Sequence, residues 1–216
     1  MQNKSALRKM ILIAMLAAIA YLIVSLVRIP VVLFLKYEPK DVVITIGGFI
    51  LGPMASLVIS AVVSLLEMVT VSDTGPIGCL MNFLSTCSFA CTAALIYNKR
   101  RTINGAVVGL LAGSVAMIAV MLLWNWLITP LYMGAPRETV EAMLLPVFLP
   151  FNALKAGLNS GLVMVLYKPV TTALRKTGLI QTRTGVKGKA KPGLYLFAAA
   201  LLATCVLFLL ALQGVI

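Results

Sequence analysis

Histidine is absent from this chain of 216 residues, and acidic side chains number six against eighteen Lys and Arg. Without imidazole there is no histidine general base, no Ser-His-Asp relay and no histidine ligand for zinc. The four cysteines, Cys79, Cys87, Cys91 and Cys205, show no CxxC spacing. A metal site is therefore not expected, and they read as free thiols packed as small apolar side chains. The pattern GxxxxGK[ST] is missing throughout, which excludes ATP hydrolysis by a P-loop. No pair of acids lies deep in an apolar run. These absences argue against a catalytic residue set, a cofactor-dependent enzyme or a self-contained ATP-driven pump.

What the chain has is apolar length. It is 61% hydrophobic and 11% charged, where a soluble domain carries about 25% charged residues. A core of this size cannot hide so much apolar surface. Several apolar runs approach the roughly 20 residues that cross the hydrocarbon of a bilayer. The net charge of +12 does not point to nucleic acid, because the basic residues gather at segment ends, where cytoplasmic retention of Lys and Arg explains them. The first apolar stretch is too long for a signal-peptide core, and no clear cleavage site follows it, so it is expected to remain as a span.

Seven membrane segments are expected, at about residues 9–27, 41–51, 54–70, 77–97, 103–128, 146–174 and 192–215. Gly52-Pro53 and Ser72-Asp73-Thr74-Gly75-Pro76 break the apolar pattern as turns. The polar stretch with Arg137, Glu138 and Glu141 has room for a short helix. With the N-terminus inside the cell, the inner connections hold three, zero, three and seven basic residues. The outer ones hold only Arg28, Lys36, Lys40 and Arg137, with Lys155 left inside a segment. The positive-inside bias favours that orientation in the plasma membrane. All six carboxylates (Glu38, Asp41, Glu67, Asp73, Glu138 and Glu141) then fall in or beside the outer loops.

A charge within a span is expensive, which makes Lys155 a candidate functional residue. Asn152, Lys155 and Asn159 are three and four apart and share one helical face. Two amides and an ammonium offer donors and acceptors suited to an uncharged, heteroatom-rich ligand such as a vitamin ring. The alternative is that Lys155 snorkels to the interface and the asparagines bond neighbouring helices. Trp124, Trp126 and Tyr132 fit an interfacial aromatic belt, which leaves Asn125 unexplained and a candidate ligand contact. Thr74, Gly75 and Asn82 open the fourth segment, where glycine permits close approach. Ser56, Ser60, Ser64 and Glu67 form one stripe, read either as a helix contact or, through Glu67, as a partner for Lys155 or a loop charge. Ala14 and Ala18 make a small-xxx-small pair on the first segment, suited to an internal contact or to docking of another membrane protein.

Three stretches in this order and spacing resemble the riboflavin-specific substrate-binding (S) components of energy-coupling factor (ECF) transporters. They are Thr74-Gly75-Pro76-Ile77-Gly78 running into Met81-Asn82-Phe83, Asn125 through Pro130-Leu131-Tyr132, and Leu149-Pro150-Phe151-Asn152-Ala153-Leu154-Lys155. The resemblance covers about residues 8–176. It implies an all-α integral membrane fold, a six-helix bundle that binds one vitamin near the outer face. It also implies that the loop at about Val31 to Asp41, with Lys36, Tyr37 and Asp41, covers the site. Asn125, Asn152 and Lys155 match the family's polar flavin contacts. Ala14 and Ala18 match its docking motif for a transmembrane coupling subunit, with two ATPase subunits on further chains. Riboflavin would be the transported ligand, not a cofactor.

The expected organisation is a vitamin-binding membrane domain at 1–176, a basic linker at 177–191 and an accessory C-terminal transmembrane segment at 192–216. That last segment lies outside the six-helix pattern. The rival readings are an S component for a pterin, thiamine or pyridoxine compound, and a stand-alone secondary transporter, for which neither an inverted repeat nor paired broken helices are seen.

Overall fold

The computed structural model describes residues 2–176 and 192–213. The expected linker at 177–191 lies outside the described residues. The helices are α1 (Gln2–Leu26), α2 (Lys40–Leu51), α3 (Pro53–Thr70), α4 (Gly75–Arg100), α5 (Ile103–Leu127), α6 (Thr129–Met133), α7 (Arg137–Met143), α8 (Leu149–Lys176) and α9 (Pro192–Leu212). A π-helical turn, Leu144–Phe148, leads into α8. Backbone polar groups in hydrocarbon must be satisfied within the segment, and helices do this. Among the described residues, five helical stretches are long and apolar enough to cross a membrane: Ala6–Leu26, Pro53–Thr70, Gly75–Arg100, Ile103–Leu127 and Arg137–Lys176. A shorter apolar stretch runs over Tyr195–Ala211. The chain is a multi-pass, all-α membrane protein.

Two features depart from the expected layout. The connection after α1 is a small antiparallel hairpin, β1 (Ile29–Val32) and β2 (Leu35–Tyr37), with Ile29 opposite Tyr37 and a register shift between Pro30 and Val32. Alternating Val31, Leu35 and Tyr37 are buried under it, which is why this loop takes strand geometry. The second expected segment is a helix of only 12 residues. At about 1.5 Å per residue it reaches about 18 Å, well short of a bilayer core. It is enclosed by α1, α3, α4 and α8, and ten of its residues are buried.

The length of α2 positions the site. Both α2 and α3 meet at the Gly52–Pro53 turn. Since α3 has 18 residues, it rises about 27 Å. The first turn of α2 is therefore sunk about 9 Å below the far end of α3, and Lys40 and Asp41 are carried down into the bundle.

Close packing of α4 on α5 forms the wall beside this recess. A Cβ at Gly109 would lie 2.7 Å from the Ala93 carbonyl oxygen, and one at Gly113 would lie 2.5 Å from that of Phe89. Backbones approach this closely only over glycine. Away from the hairpin, Phe49 stacks on Tyr97 at 4.3 Å, and the Tyr97 and Tyr167 hydroxyls bond at 2.8 Å.

Candidate ligand site beneath the hairpin

Every charged group at the sunken end of α2 has a partner. Lys40 Nζ lies 2.7 Å from Glu38 and 2.5 Å from Glu67. Glu38 also pairs with Arg28 at 2.9 Å, and Arg28 donates to the Val71 carbonyl. Asn82 donates to Glu67 at 2.9 Å. On the opposite side of α2, Asp41 accepts from Thr86 at 2.7 Å, from Asn159 at 3.2 Å and from Lys155 at 3.2 Å. Lys155 also donates to Ser85 at 3.2 Å, and the Tyr37 hydroxyl donates to Asn159 Oδ1 at 3.1 Å. At the rim Lys36 pairs with Asp73.

Four basic groups therefore balance four acidic ones. Burying ions is unfavourable unless they are paired and hydrogen-bonded, and this closed set meets that condition. The hairpin end also carries Glu141, which accepts from the Trp126 indole at 2.8 Å. Arg137 stacks over the same ring at 5.2 Å.

The acids and bases of the hairpin respond to this setting. Burial pushes the Glu38 carboxyl up, but Lys40 beside it, helped by the charges of Lys155 and Arg28, overcomes this and holds it down at about 2. Burial, with the Asp41 charge added, pushes the Tyr37 phenol well above its ordinary range, so it stays a neutral donor. The hydrogen bond from Lys36, together with its charge, lowers the exposed Asp73 carboxyl.

A cavity of about 110 Å³ borders the network. The hairpin supplies Phe34, Leu35 and Lys36; α4 supplies Met81, Asn82 and Ser85; α5 supplies Met121; α8 supplies Phe151, Asn152 and Lys155. Thr74 and Tyr132, with the paired Arg28, Glu38 and Asp73, complete the wall, and Thr74 and Tyr132 also line a smaller neighbouring pocket with Trp124 and Ile128. Phe34 holds the hairpin tip over the site, packing edge-on against Tyr132 with ring centres 5.3 Å apart.

Several donors and acceptors remain free for a ligand. An ammonium has three N–H donors and an amide two. Lys155 spends two, on Asp41 and Ser85. Asn152 spends one N–H on the Phe148 carbonyl, 2.8 Å away, at the π-helical turn. The cavity therefore offers amides, hydroxyls and the spare Lys155 donor among paired charges, with apolar and aromatic side chains making up the rest of the wall.

Lys36, Thr74, Asn82, Asn152 and Lys155, all anticipated from the sequence, lie on this wall. Tyr37 and Asp41 stand behind it, bonded to Asn159 and Lys155. Asn125 is fully buried and is not among the lining residues; it donates to the Met121 carbonyl at 2.8 Å and accepts from Thr129 at 2.9 Å. Gly75 opens α4 with φ +56° beside Thr74, off the wall. Glu67 pairs with Lys40, not with Lys155. Ala14 and Ala18 are exposed on α1, while Ala17 and Ala20 on its other face are buried.

The sequence reading placed Asn159 on the Lys155 face and offered Glu67 as a partner for a loop charge, but it missed Glu38 and Lys40 as a cluster with Glu67 at the site, and Ser85 and Thr86 as anchors. Its only local signal was a Lys and an Asp at the start of an apolar segment. Their partners are 27 and 45 residues away.

A profile of the family described as "ECF transporter, substrate-specific component" matches residues 8–167. The chain belongs to this family of S components. The riboflavin transporter RibU of Staphylococcus aureus (strain TCH60) is 26% identical over 184 residues, covering 81% of this chain and 96% of the relative. The riboflavin transporter FmnP of Bacillus subtilis (strain 168) is 29% identical, covering 68% and 84%. RibU of Lactococcus lactis subsp. cremoris (strain NZ9000) is 30% identical, covering 76% and 95%. The solved structure of the S component of a bacterial ECF transporter superposes with a TM-score of 0.68 at 28% identity, covering 81% of this chain and 99% of that one.

Proposed function

We propose that this chain captures riboflavin in the cavity beneath the hairpin and delivers it inward as the S component of an ATP-driven vitamin importer. The observation that carries the reading is a cavity whose lining charges are balanced by ion pairs, with hydrogen-bonding capacity left over on Asn152 and Lys155. An uncharged, flat, carbonyl-rich ring system suits that lining. Phe34, Tyr132, Met81, Met121 and Phe151 supply apolar faces for the ring. Asn82, Asn152, Lys155, Thr74 and Lys36 supply polar contacts to its edge or to the sugar-alcohol chain. Tyr37, Asp41, Asn125 and Gly75 act behind these, fixing Asn159, Lys155 and the ends of α4 and α5. The relatives named as riboflavin transporters support the choice of vitamin.

The same reading places the N-terminus in the cytoplasm and the hairpin on the outer face of the plasma membrane, because Arg8, Lys9, Lys99, Arg100, Arg101, Arg175 and Lys176 lie at the end away from the hairpin, while the basic residues at the hairpin end are balanced by carboxylates. The exposed face of α1 with Ala14 and Ala18 is the docking surface for a transmembrane coupling subunit, and two ATPase subunits on separate chains provide the energy. The chain itself is not an enzyme. The test is a titration of the purified protein into riboflavin, read by quenching of the ligand's own fluorescence. Saturable nanomolar binding, poorly competed by thiamine, pyridoxine or a pterin, is the expected result. No quenching by folded protein at micromolar concentration overturns the choice of riboflavin, and saturable binding of one of the competitors assigns that vitamin instead.

A further inference from the structure

The family profile ends at residue 167, and the solved S component covers 81% of this chain. Helix α9 at 192–212 lies beyond that profile, yet it is seated on the bundle. It runs antiparallel to α8 over two glycines four residues apart. A Cβ at Gly157 would lie 2.7 Å from Cys205 Sγ, and one at Gly161 would lie 2.8 Å from the Leu202 side chain. Glycines at this spacing let two helices approach closely in lipid. Gly161 faces Ala198 and Leu202, and Gly157 faces Leu201 and Cys205, so α9 climbs toward the hairpin.

It reaches the hairpin at two points. Leu209 is buried in one apolar cluster with Val31, Leu35 and Tyr37 of the strands and with Phe148 and Leu158 beneath them. One turn further, the Gln213 side-chain amide donates to the Pro30 carbonyl at 2.7 Å. Pro30 stands where the strand register shifts, so this bond comes from α9 at a weak point of the two-strand ladder. An isolated two-stranded hairpin is marginal by itself. Here its outer strand is held by a helix the family profile does not include.

We propose that α9 is a strap that holds the hairpin closed over the cavity, with Leu209 as its apolar anchor and Gln213 as the positioning residue at its end. Closure by the strap slows opening of the hairpin and so slows ligand escape. The effect on escape rests on the capture reading above, whereas the effect on the hairpin does not.

The experiment uses the full chain in nanodiscs and reads amide hydrogen exchange over Val31–Leu35 without ligand. Gln213→Ala and Gln213→Glu, neither of which can donate, should each speed exchange roughly twofold to tenfold. Gln213→Lys restores a donor and should return exchange toward the original rate. Leu209→Ala should speed it by about tenfold or more. Unchanged hairpin exchange in both Gln213→Ala and Leu209→Ala overturns the strap, as does a Glu variant that behaves like the Lys variant. In a second arm, riboflavin dissociation should accelerate in the same order while association stays constant. A looser hairpin with unaltered dissociation overturns the claim that the strap retains ligand. If the unmodified protein binds no riboflavin, the capture reading fails, and the strap is decided by hydrogen exchange alone.

Discussion

Replacing Lys40 with Met keeps the length and apolar stem of the side chain and removes only its charge. Lys40 is 1% exposed, and its ammonium lies 2.7 Å from Glu38 and 2.5 Å from Glu67. After the change Glu38 still has Arg28 at 2.9 Å. Glu67 has only the Asn82 amide. Removing one partner from a buried ion pair costs about 3–5 kcal/mol, because the other charge is left uncompensated. The expected loss for Lys40→Met is about 3 kcal/mol, toward the lower limit because Asn82 still solvates Glu67. Adding Glu67→Gln removes the orphaned charge and should bring the double variant to within about 1 kcal/mol of the original, since buried pairs often exchange for neutral groups at little cost. The two changes should therefore couple by about 2 kcal/mol or more. The assay is unfolding by SDS in mixed micelles, followed by the fluorescence of Trp124 and Trp126. A loss below about 1 kcal/mol for Lys40→Met, or simple additivity of the two changes, would refute the argument that this cluster is closed and buried.

Lys155→Met should weaken riboflavin binding by about 1–3 kcal/mol and destabilise the protein by stranding Asp41. Adding Asp41→Asn should restore stability but not affinity, and recovery of both in paired titration and unfolding measurements would show that Lys155 is structural only. Gly113→Leu should lower the unfolding free energy in SDS by about 2 kcal/mol or more, because its Cβ meets the Phe89 carbonyl at 2.5 Å; an unchanged SDS midpoint would contradict the α4–α5 contact. The pH profile of hairpin protection should fall on both sides. Glu38 sits at about 2 in the folded state against 4.5 ordinarily, so its contribution is present above pH 4.5 and is lost as pH falls toward 2. Tyr37, raised above its ordinary 10.0, withdraws stability as pH rises past 10. Hairpin protection factors, corrected for intrinsic exchange, that stay flat below pH 4.5 would show that the Glu38 pairs do not hold the hairpin.

Much of the architecture was legible because the bilayer imposes it. A polar backbone in hydrocarbon allows few structures, so long apolar runs at Ala6–Leu26 and Ile103–Leu127 could be read as spans from length alone. The stripe Asn152–Lys155–Asn159 was legible for a similar reason, since a helix puts residues three and four apart on one face. The hairpin was not. Its alternation is only a few residues long, and strand geometry there depends on Phe148, Phe151 and Leu158 arriving beneath it from far along the chain. The contrast between Asn152 and Asn125 was equally hidden. Both are asparagines near a helix end, and both donate to the carbonyl four residues back. Only packing decides that Asn152 lines the cavity while Thr129 closes off Asn125.

By itself, the sequence determined the class of the protein, the uneven distribution of charge along it, and the residue types available for a ligand. Those follow from solvation, which acts on each segment separately. Only the tertiary structure decided which charges neutralise each other, and it did so through the short α2, which sinks Lys40 and Asp41 to where Glu67 and Lys155 can reach them. Ion pairing depends on distances between elements far apart in the chain, and no local pattern encodes those distances. The same holds for α9, whose apolar run announced a helix but not the glycine seat on α8 or the hydrogen bond from Gln213 to the hairpin.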